Sequence, residues 1–442
     1  MAKLLHIPEN HAQRFSLHNE IHARPPVSLS LPVRASHLAL ILSPEEKQQE
    51  REHLHDLCAR FGTLPPHNQA NHFTARFDSV LFHWEQHGEF STYCFYVNNA
   101  DKKHPFAKTA LEDAPIDWLN KLQGQSIVAA HAVIIPSPEK EASASDISAF
   151  FEGNAVVGAK MTGDAAEAFT DFRIHNDGFS RFLIFDKQLQ SEQAGRLMQR
   201  LFEIEVYRVM ALLAFPIAQA LAPKICKAEQ RLSTITTAMA QPDSDDTLLL
   251  DQLTQLAAEV ESHISQSQYR FAAAEAYYKI VEQRISDIRE SKIQGIQTID
   301  EFLTKRMQPA ISSCHSTAKR FSLLSERISN ASQLLRTRVD ISIEQQNQSL
   351  LSSMDMRARM QLRLQETVEN LSIIAITSYI VSLLHSIIKG LQRAGLTDIH
   401  ADVVAGAAIP IVFIIVAVII RRVHNLIKNS NESRKWIGRG ND

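Results

Sequence analysis

Two apolar runs near the C-terminus decide the architecture: LSIIAITSYIVSLLHSII at residues 371–388 and VVAGAAIPIVFIIVAVII at residues 403–420. Neither run contains Asp, Glu, Lys or Arg. As helices at about 1.5 Å per residue, each spans about 27 Å, close to the ~30 Å core of a bilayer. A hairpin buried in a soluble protein is the alternative, but two runs of this length separated by only 14 residues favour a transmembrane hairpin.

Basic residues flank the two runs unequally. The segment between the runs has only Lys389 and Arg393. Because basic flanks stay on the cytoplasmic side, both termini are predicted to be cytoplasmic, in a bacterial inner membrane. The flanking basic residues on that side are Arg357, Arg359, Arg363, Arg421, Arg422, Lys428, Arg434, Lys435 and Arg439.

The composition of the whole chain is that of a folded protein. Of 442 residues, 45% are apolar and 21% are charged, which excludes disordered and collagen-like chains. A formal net charge of -3 lacks the basic surplus of nucleic-acid binders, so no nucleic-acid partner is expected. The N-terminus has no apolar run of signal-peptide length. The widely spaced Cys58, Cys94, Cys226 and Cys314 are interpreted as core thiols in a reducing compartment.

Residues 1–190 alternate strand and helix signals. Runs at 33–42 and 127–135 predict buried strands. Between them, Ser43-Pro44-Glu45-Glu46 combines a capping serine, a proline at the first helical position and a glutamate that closes a capping box. This predicts a helix to about residue 62.

Two hairpins are predicted in the same part of the chain. Gln86-His87-Gly88 and Asn176-Asp177-Gly178 have the composition of tight turns. The fold class predicted for residues 1–190 is therefore α+β with a largely antiparallel sheet. The paired runs are 73–84 with 90–97 and 168–175 with 179–185.

From residue 191 to the membrane the apolar pattern is helical. Gly295 and Pro309 are the last interrupters, so one helix is predicted from about residue 310 through 388. Such a long helix survives in water only when its apolar stripe packs on neighbours, which requires packing within or between chains. Self-association through this helical stalk and the transmembrane helices is expected. The apolar stripe includes Phe321, Leu324, Ile328, Ala331 and Leu335.

A third apolar run at 209–222 has 14 residues and is interrupted by Pro216. Its length predicts a buried core helix, with a re-entrant membrane segment as the alternative. The predicted organisation is a cytosolic α+β domain at 1–190, a helical stalk at 191–370, and a transmembrane hairpin with a basic tail at 371–442.

Four short strings resemble an uncharacterised family of bacterial membrane-anchored proteins. They are NEIHARP at 19–25, WEQHGEFSTY at 84–93, TDFRIHNDGFSR at 170–181 and EIEVYR at 203–208. The resemblance covers nearly the whole chain. It implies membrane anchoring and implies no activity.

The layout is also similar to that of the CorA-type divalent-cation transporters, which join a cytosolic α+β domain and a helical stalk to two C-terminal spans. The Gly-Met-Asn signature of that family is missing, and the corresponding place reads HSIIKGL at 385–391. Lys389 would repel a cation there. The layout therefore suggests ion conduction, while the missing signature argues against magnesium transport.

Charged side chains concentrate in three of these strings. Two H-x-E-x-H sequences, at 18–22 and 83–87, lack the order of the metalloprotease motif, so no metal site is predicted. A strand through 169–175 would place Asp171, Arg173 and His175 on one face. The strings are expected to converge at one edge of the sheet, as a structural ion network or as a binding site. The candidate cluster comprises Glu20, His22, Arg24, Trp84, Glu85, His87, Glu89, Asp171, Arg173, His175, Asp177 and Arg181.

A polar stripe lies within the first apolar run. Ser378, Ser382 and His385 are four and three residues apart, which places them on one helix face. Small polar residues at this spacing either support helix packing or line a pore. Helix packing is the more common role of such residues, and an ionisable histidine near the bilayer adds some weight to the pore.

No phosphate-binding loop and no nucleophile elbow is recognisable, so no catalytic residue and no cofactor is assigned. The sequence predicts an inner-membrane-anchored homo-oligomer with a cytosolic sensor or scaffold domain, CorA-like in layout, with ion conduction as a hypothesis. The alternative is a membrane-tethered cytosolic enzyme or ligand-binding regulator whose anchor helices do not conduct.

Overall fold

The computed structural model describes residues 9–15, 17, 26–67, 70–140, 142–393 and 401–437. The chain forms two compact units, Met1–Leu335 and Arg336–Asp442. The first unit contains a sheet and several helices, and the second is helical.

An eight-stranded sheet lies at the centre of the first unit. Its order is β2-β3-β4-β1-β5-β8-β7-β6, and neighbouring strands are antiparallel except β5 with β8. The predicted α+β class with a largely antiparallel sheet is confirmed. The strands are β1 (Val33–Ile41), β2 (His72–Phe77), β3 (Val80–Gln86), β4 (Phe90–Asn98), β5 (Gln125–Pro136), β6 (Val157–Met161), β7 (Ala166–Thr170) and β8 (Ser180–Asp186).

The helices are mostly C-terminal to the sheet. In the described part of the chain, three of the named helices lie among the strands and five longer ones follow β8. The helices are α1 (Pro44–Arg60), α2 (Ile116–Leu119), α3 (Ala144–Ala149), α4 (Ser191–Leu212), α5 (Ala214–Met239), α6 (Asp246–Ile288), α7 (Ile299–Arg393) and α8 (Ala401–Ile437), with a 3-10 turn at Ala110–Asp113.

Helix α1 begins as its sequence predicts. The backbone N–H of Glu46 donates to Ser43 Oγ at 3.2 Å, and the backbone N–H of Ser43 donates to the Glu46 carboxylate at 2.7 Å. This reciprocal pair satisfies two N–H groups that the start of the helix cannot pair internally. Leu54 and Leu57 are buried on the side that faces the sheet.

The two faces of the sheet carry different cores, because successive strand residues point in opposite directions. On β4, Tyr93 and Phe95 belong to the aromatic core under α1. Cys94 and Tyr96 belong to the core that contains the buried side of α4. The face under α4 carries the polar groups described below.

Tight turns divide the N-terminal strands. The run predicted at 73–84 is two strands, β2 and β3, joined through Asp78, whose φ is +52°. The hairpin predicted around residue 87 is confirmed as β3 and β4.

The second predicted hairpin is confirmed as β7 and β8, but β7 ends at Thr170 instead of reaching His175. Phe172 has a left-handed backbone, with φ +53°. The backbone N–H of Arg173 donates to the Asp171 carboxylate at 3.1 Å. Local side-chain bonds of this kind compete with a strand ladder, so Asp171, Arg173 and His175 do not share a strand face.

Helix α7 begins earlier than predicted and continues through Pro309. The Glu290 carboxylate accepts the backbone N–H of Ile299 at 3.2 Å, and Thr298 Oγ1 accepts that of Glu301 at 3.1 Å. These partners satisfy N–H groups of the first turn, which explains a start at Ile299.

The apolar stripe of α7 packs inside the chain over its first part. Helices α5 and α6 share one buried cluster with α7. Leu324 and Ile328 are each 1% exposed. The packing that the length of this helix requires is therefore intramolecular for the stripe residues Phe321, Leu324, Ile328, Ala331 and Leu335.

Three helical stretches are long and apolar enough to cross a membrane by length and composition: Ser191–Met239, Ile299–Leu391 and Ala401–Val423. The second and third contain the two predicted spans. In the first, Met210, Ala214 and Ala218 are buried within the protein, as predicted for a core helix.

Glu50 of α1 is a buried carboxylate beneath the sheet, with 3% of the residue exposed. It accepts hydrogen bonds from Trp84 Nε1 at 2.8 Å, Gln86 Nε2 at 2.9 Å and Ser91 Oγ at 3.0 Å. The Tyr93 hydroxyl is a fourth donor. All four donors come from β3 and β4, so Glu50 fixes α1 to this part of the sheet.

We predict that Glu50→Gln destabilises the protein by about 2 to 3 kcal/mol, because an amide N–H2 then faces buried donors. Glu52→Gln, an exposed position on the same helix, should change stability by less than ~0.5 kcal/mol. Thermal unfolding of the detergent-purified variants measures both. Equal midpoints would contradict the structural role of Glu50.

Candidate functional site

Three neighbouring strands carry a row of polar side chains on the face under α4. His83 of β3 pairs with Cys94 of β4, and Cys94 pairs with His37 of β1. Glu85 lies two residues after His83, on the same face. His87 follows directly after β3, at the hairpin. The strand register thus gathers three imidazoles, a thiol and a carboxylate.

A small cavity of about 30 Å³ lies between this row and α4. A space of that size holds one or two water-sized groups. Phe90, Phe202 and Tyr207 contribute aromatic walls, and Glu203 lines the helix side. The cavity is therefore polar on the sheet side and aromatic around it.

Glu85 is held by two imidazoles. Its Oε1 lies 3.0 Å from His83 Nε2, and its Oε2 lies 3.4 Å from His87 Nε2. Burial alone would raise the pKa of Glu85, but hydrogen bonds from His83 and His87 outweigh it and hold that pKa well below its ordinary value. His83 is fixed from its other side by the Thr74 hydroxyl, 2.7 Å from Nδ1. Glu85 is thus a buried carboxylate that stays ionised.

His37 has one ring nitrogen without a partner. Its Nδ1 lies 2.9 Å from Cys94 Sγ, and its ring stacks on Phe202 with centroids 4.6 Å apart. Nε2 is buried and has no hydrogen-bond partner among the described residues. Burial lowers the pKa of His37 to about 3, so the ring is neutral at pH 7. An unpaired buried nitrogen is costly, and it marks a place where a ligand atom gains a bond.

Cys94 is not an activated thiol. Burial raises its pKa above the ordinary value, and the nearby carboxylates of Glu85 and Glu203 raise it further, against a hydrogen bond from Tyr96. A nucleophilic cysteine needs the opposite, a lowered pKa. Cys94 therefore acts as a neutral hydrogen-bond partner of His37.

On the helix side of the cavity, α4 is bonded to α6. Glu203 of α4 pairs with Arg284 of α6, and Gln199 Nε2 donates to it at 3.0 Å. Gly195 of α4 allows close approach of the preceding chain, because a Cβ there would lie 1.7 Å from the carbonyl oxygen of Val27. Val27 is also a wall of the cavity, so Gly195 is needed to bring this wall into place.

The hairpin beside the cavity is tied to α6 as well. Glu89 accepts from both guanidinium nitrogens of Arg270, at 2.6 and 3.1 Å, and from the Tyr277 hydroxyl at 2.7 Å. Burial opposes ionisation, but these donors lower the pKa of Glu89. The bidentate pair fixes the loop that carries His87.

A second polar cluster forms around the loop after β7. The buried Asp171 carboxylate accepts from Asn154 Nδ2 at 2.9 Å and lies 3.1 Å from His175 Nε2. His175 Nε2 is buried and has no hydrogen-bond partner among the described residues, so this close contact with Asp171 is not a hydrogen bond. Arg181 reaches Asp177 at 3.1 Å and Glu152 at 3.4 Å. These contacts fix the loop to β8 and to the turn that follows α3.

The two clusters lie at the same end of the sheet but apart. Strands β4, β1 and β5 separate β3 from β8, which is about 19 Å at ~4.8 Å per strand. Trp84 points to the opposite face, toward Glu50. The predicted strings at 84–89 and 171–181 therefore form two clusters instead of one.

Besides Trp84, four predicted residues lie away from both clusters or outside the described part of the chain. Arg173 is exposed, and its backbone N–H, not its side chain, contacts Asp171. Glu20, His22 and Arg24 lie outside the residues that the structure describes. Ligand binding by the predicted residues around the loop after β7 stays a prediction.

His37, Cys94 and Glu203 were not among the site residues predicted from the sequence. One available signal was the H-x-E-x-H string at 83–87, because alternating residues of a strand share a face. The same spacing on a helix is that of a metal motif, which is a different arrangement. His37 and Cys94 gave no local signal, because their meeting depends on the pairing of distant strands. Among the described residues no three His, Cys, Asp or Glu side chains are arranged to hold a metal ion.

The polar stripe of α7 lies in the second unit. Ser378 and Ser382 are exposed in the single chain. His385 Nδ1 lies 3.7 Å from Asp402 Oδ1 of α8. Thr377, on a different face, is buried. Ser378 and Ser382 are thus available to lipid or to another chain.

The geometry around Asp171 changes what a substitution of Arg173 should do. Arg173→Ala keeps the backbone N–H that Asp171 accepts, so we expect a change below ~0.5 kcal/mol. Asp171→Ala leaves buried donors unpaired and should cost about 2 to 3 kcal/mol. Thermal unfolding of both variants beside wild type measures the difference. A large loss from Arg173→Ala would contradict this arrangement.

Comparison with known proteins places the chain in a family without supplying an activity. No curated protein matches the sequence. No solved structure matches it either. Residues 9–427 match the family described as protein of unknown function (DUF3422), and the chain therefore belongs to that family.

Proposed function

We propose that this protein is a membrane-anchored regulator that binds a small ligand in the cavity between β1, β3, β4 and α4. The observation that carries the proposal is the buried, unpartnered Nε2 of His37 at the wall of a polar cavity. Preformed cavities with a few placed polar groups are typical of ligand sites. Cys94, the one thiol in the wall, is not activated, which favours a regulator over a covalent enzyme.

The apolar helices serve in this proposal as the anchor. Residues 371–388 and 403–420 span the bacterial inner membrane, and the basic flanks keep both termini in the cytoplasm. The ligand-binding unit is then cytosolic. Helix α4 forms one wall of the cavity, and it is the first helix of the segment 191–370 that is expected to form the stalk. The predicted sensor domain and the predicted stalk therefore both contribute residues to the cavity.

The proposed assembly is a homo-oligomer held together by the exposed part of α7. Ile343, Leu350, Met354, Leu364 and Val368 are each more than half exposed. Their spacings of 7, 4, 10 and 4 residues place them on one helix face. Copies anchored in one bilayer present this face in parallel and at the same height, which supports a second copy of the chain as its partner.

Ion conduction, the CorA-like version of this assembly, stays a prediction. It requires several copies to bring Ser378, Ser382 and His385 around one axis. The cavity supports the ligand-binding version more directly, because it is formed within one chain.

The ligand-binding proposal predicts that a small probe stabilises the protein through His37. The full chain in detergent would be melted with methylammonium chloride, sodium acetate, sodium phosphate or imidazole. At least one probe should raise the thermal midpoint by a few degrees, as expected when a ligand binds the native state. The shift should be lost in His37→Leu.

His131→Leu is the matched control. His131 is also buried, lies on the neighbouring strand β5 and points to the other face of the sheet. Its variant should keep the shift. Absence of a shift with all four probes, or an equal loss in both variants, would contradict the proposal.

The assembly proposal predicts that charge on the exposed face of α7 separates the copies. Lysine at both Leu350 and Leu364 would place unpaired charge in the interface, so chemically crosslinked oligomers should fall to monomer. Lysine at Leu351 and Leu362 is the control, because these leucines are similarly exposed but lie on another face. Unchanged crosslinking of the first variant would exclude this interface.

A further inference from the structure

We infer that the ligand of the cavity is a cation, the ammonium group of a small amine. This inference deepens the proposed ligand-binding function and rests on it. Its basis is the joint placement of Glu85, the unpartnered Nε2 of His37 and the rings of Phe90, Phe202 and Tyr207 around one small space.

The charge of the cavity wall favours a cation over an anion. The described lining residues include two carboxylates, Glu85 and Glu203, and neither Lys nor Arg. Glu203 is compensated by Arg284 from outside the wall. Among the described residues the ion-pair partners of Glu85 are the imidazoles of His83 and His87, and an imidazole carries charge only when it is protonated. An anion would meet net repulsion there, whereas a cation would meet a buried, ionised carboxylate at low dielectric.

His37 supplies a matching acceptor. The neutral ring has one N–H, and in the tautomer whose Nδ1–H donates to Cys94 Sγ at 2.9 Å, Nε2 is a bare acceptor. An ammonium N–H can donate to it. Glu85 and His37 then accept from two of the three N–H groups of a primary ammonium ion.

The remaining walls suit the same ligand. Phe90 and Tyr207 lie edge to face, with centroids 5.9 Å apart, and Phe202 stacks on His37. Aromatic faces attract organic ammonium ions. The space of about 30 Å³ admits a group the size of methylammonium. A metal ion fits less well, because no three ligating side chains in the described part of the chain converge on one point.

Isothermal titration of the full chain in detergent with methylammonium chloride tests the inference, with potassium chloride and sodium acetate as controls. Methylammonium should bind saturably and the two controls should not. Glu85→Gln should weaken binding at least tenfold, because the charge is lost while the shape is kept. Should Glu85→Gln fail to fold, His37→Leu serves instead and should also weaken binding at least tenfold.

The other outcomes separate this inference from the broader proposal. Binding of potassium or acetate in this titration, or of imidazole in the thermal assay, without binding of methylammonium would overturn the ammonium assignment and leave the ligand-binding function intact. No binding of any of these probes would overturn both.

Discussion

The candidate site depends on the antiparallel register that sets β3 beside β4 and β4 beside β1. This register places Cys94 between His83 and His37, although His37 precedes Cys94 by 57 residues. A slip of one residue would turn a strand's side chains to the opposite face. Each face of the sheet holds one buried carboxylate, and the two differ in their hydrogen-bond partners. Glu50 accepts hydrogen bonds from four side chains, whereas Glu85 is contacted by the two imidazoles of His83 and His87.

Features that depend on a few neighbouring residues could be predicted from the sequence. The Ser43 cap, the β3–β4 turn and the long apolar runs each have their cause within a short window, and the α+β class follows from them. The cavity could not be predicted in this way. His37, Cys94 and Glu203 are brought together by strand pairing and by the packing of α4, and no window of the sequence contains both partners of any of these contacts.

The loop after β7 illustrates how tertiary contacts override a local pattern. The alternation at 169–175 predicts a strand, yet Phe172 is left-handed. Its ring stacks on Phe302 of α7, with centroids 5.2 Å apart, and Arg208 of α4 lies over it at 5.1 Å. Packing against helices that come later in the chain stabilises a backbone conformation that is unusual for a bulky residue.

The hydrogen bonds between Glu89 and α6 affect the order in which contacts can form while the chain is being synthesised. Arg270 and Tyr277 follow Glu89 by 181 and 188 residues. A nascent chain emerges N-terminus first, so all eight strands leave the ribosome before either partner exists. The growing chain therefore carries the β3–β4 hairpin with an unanchored carboxylate until translation reaches α6, and the cavity acquires its finished wall only at that late stage.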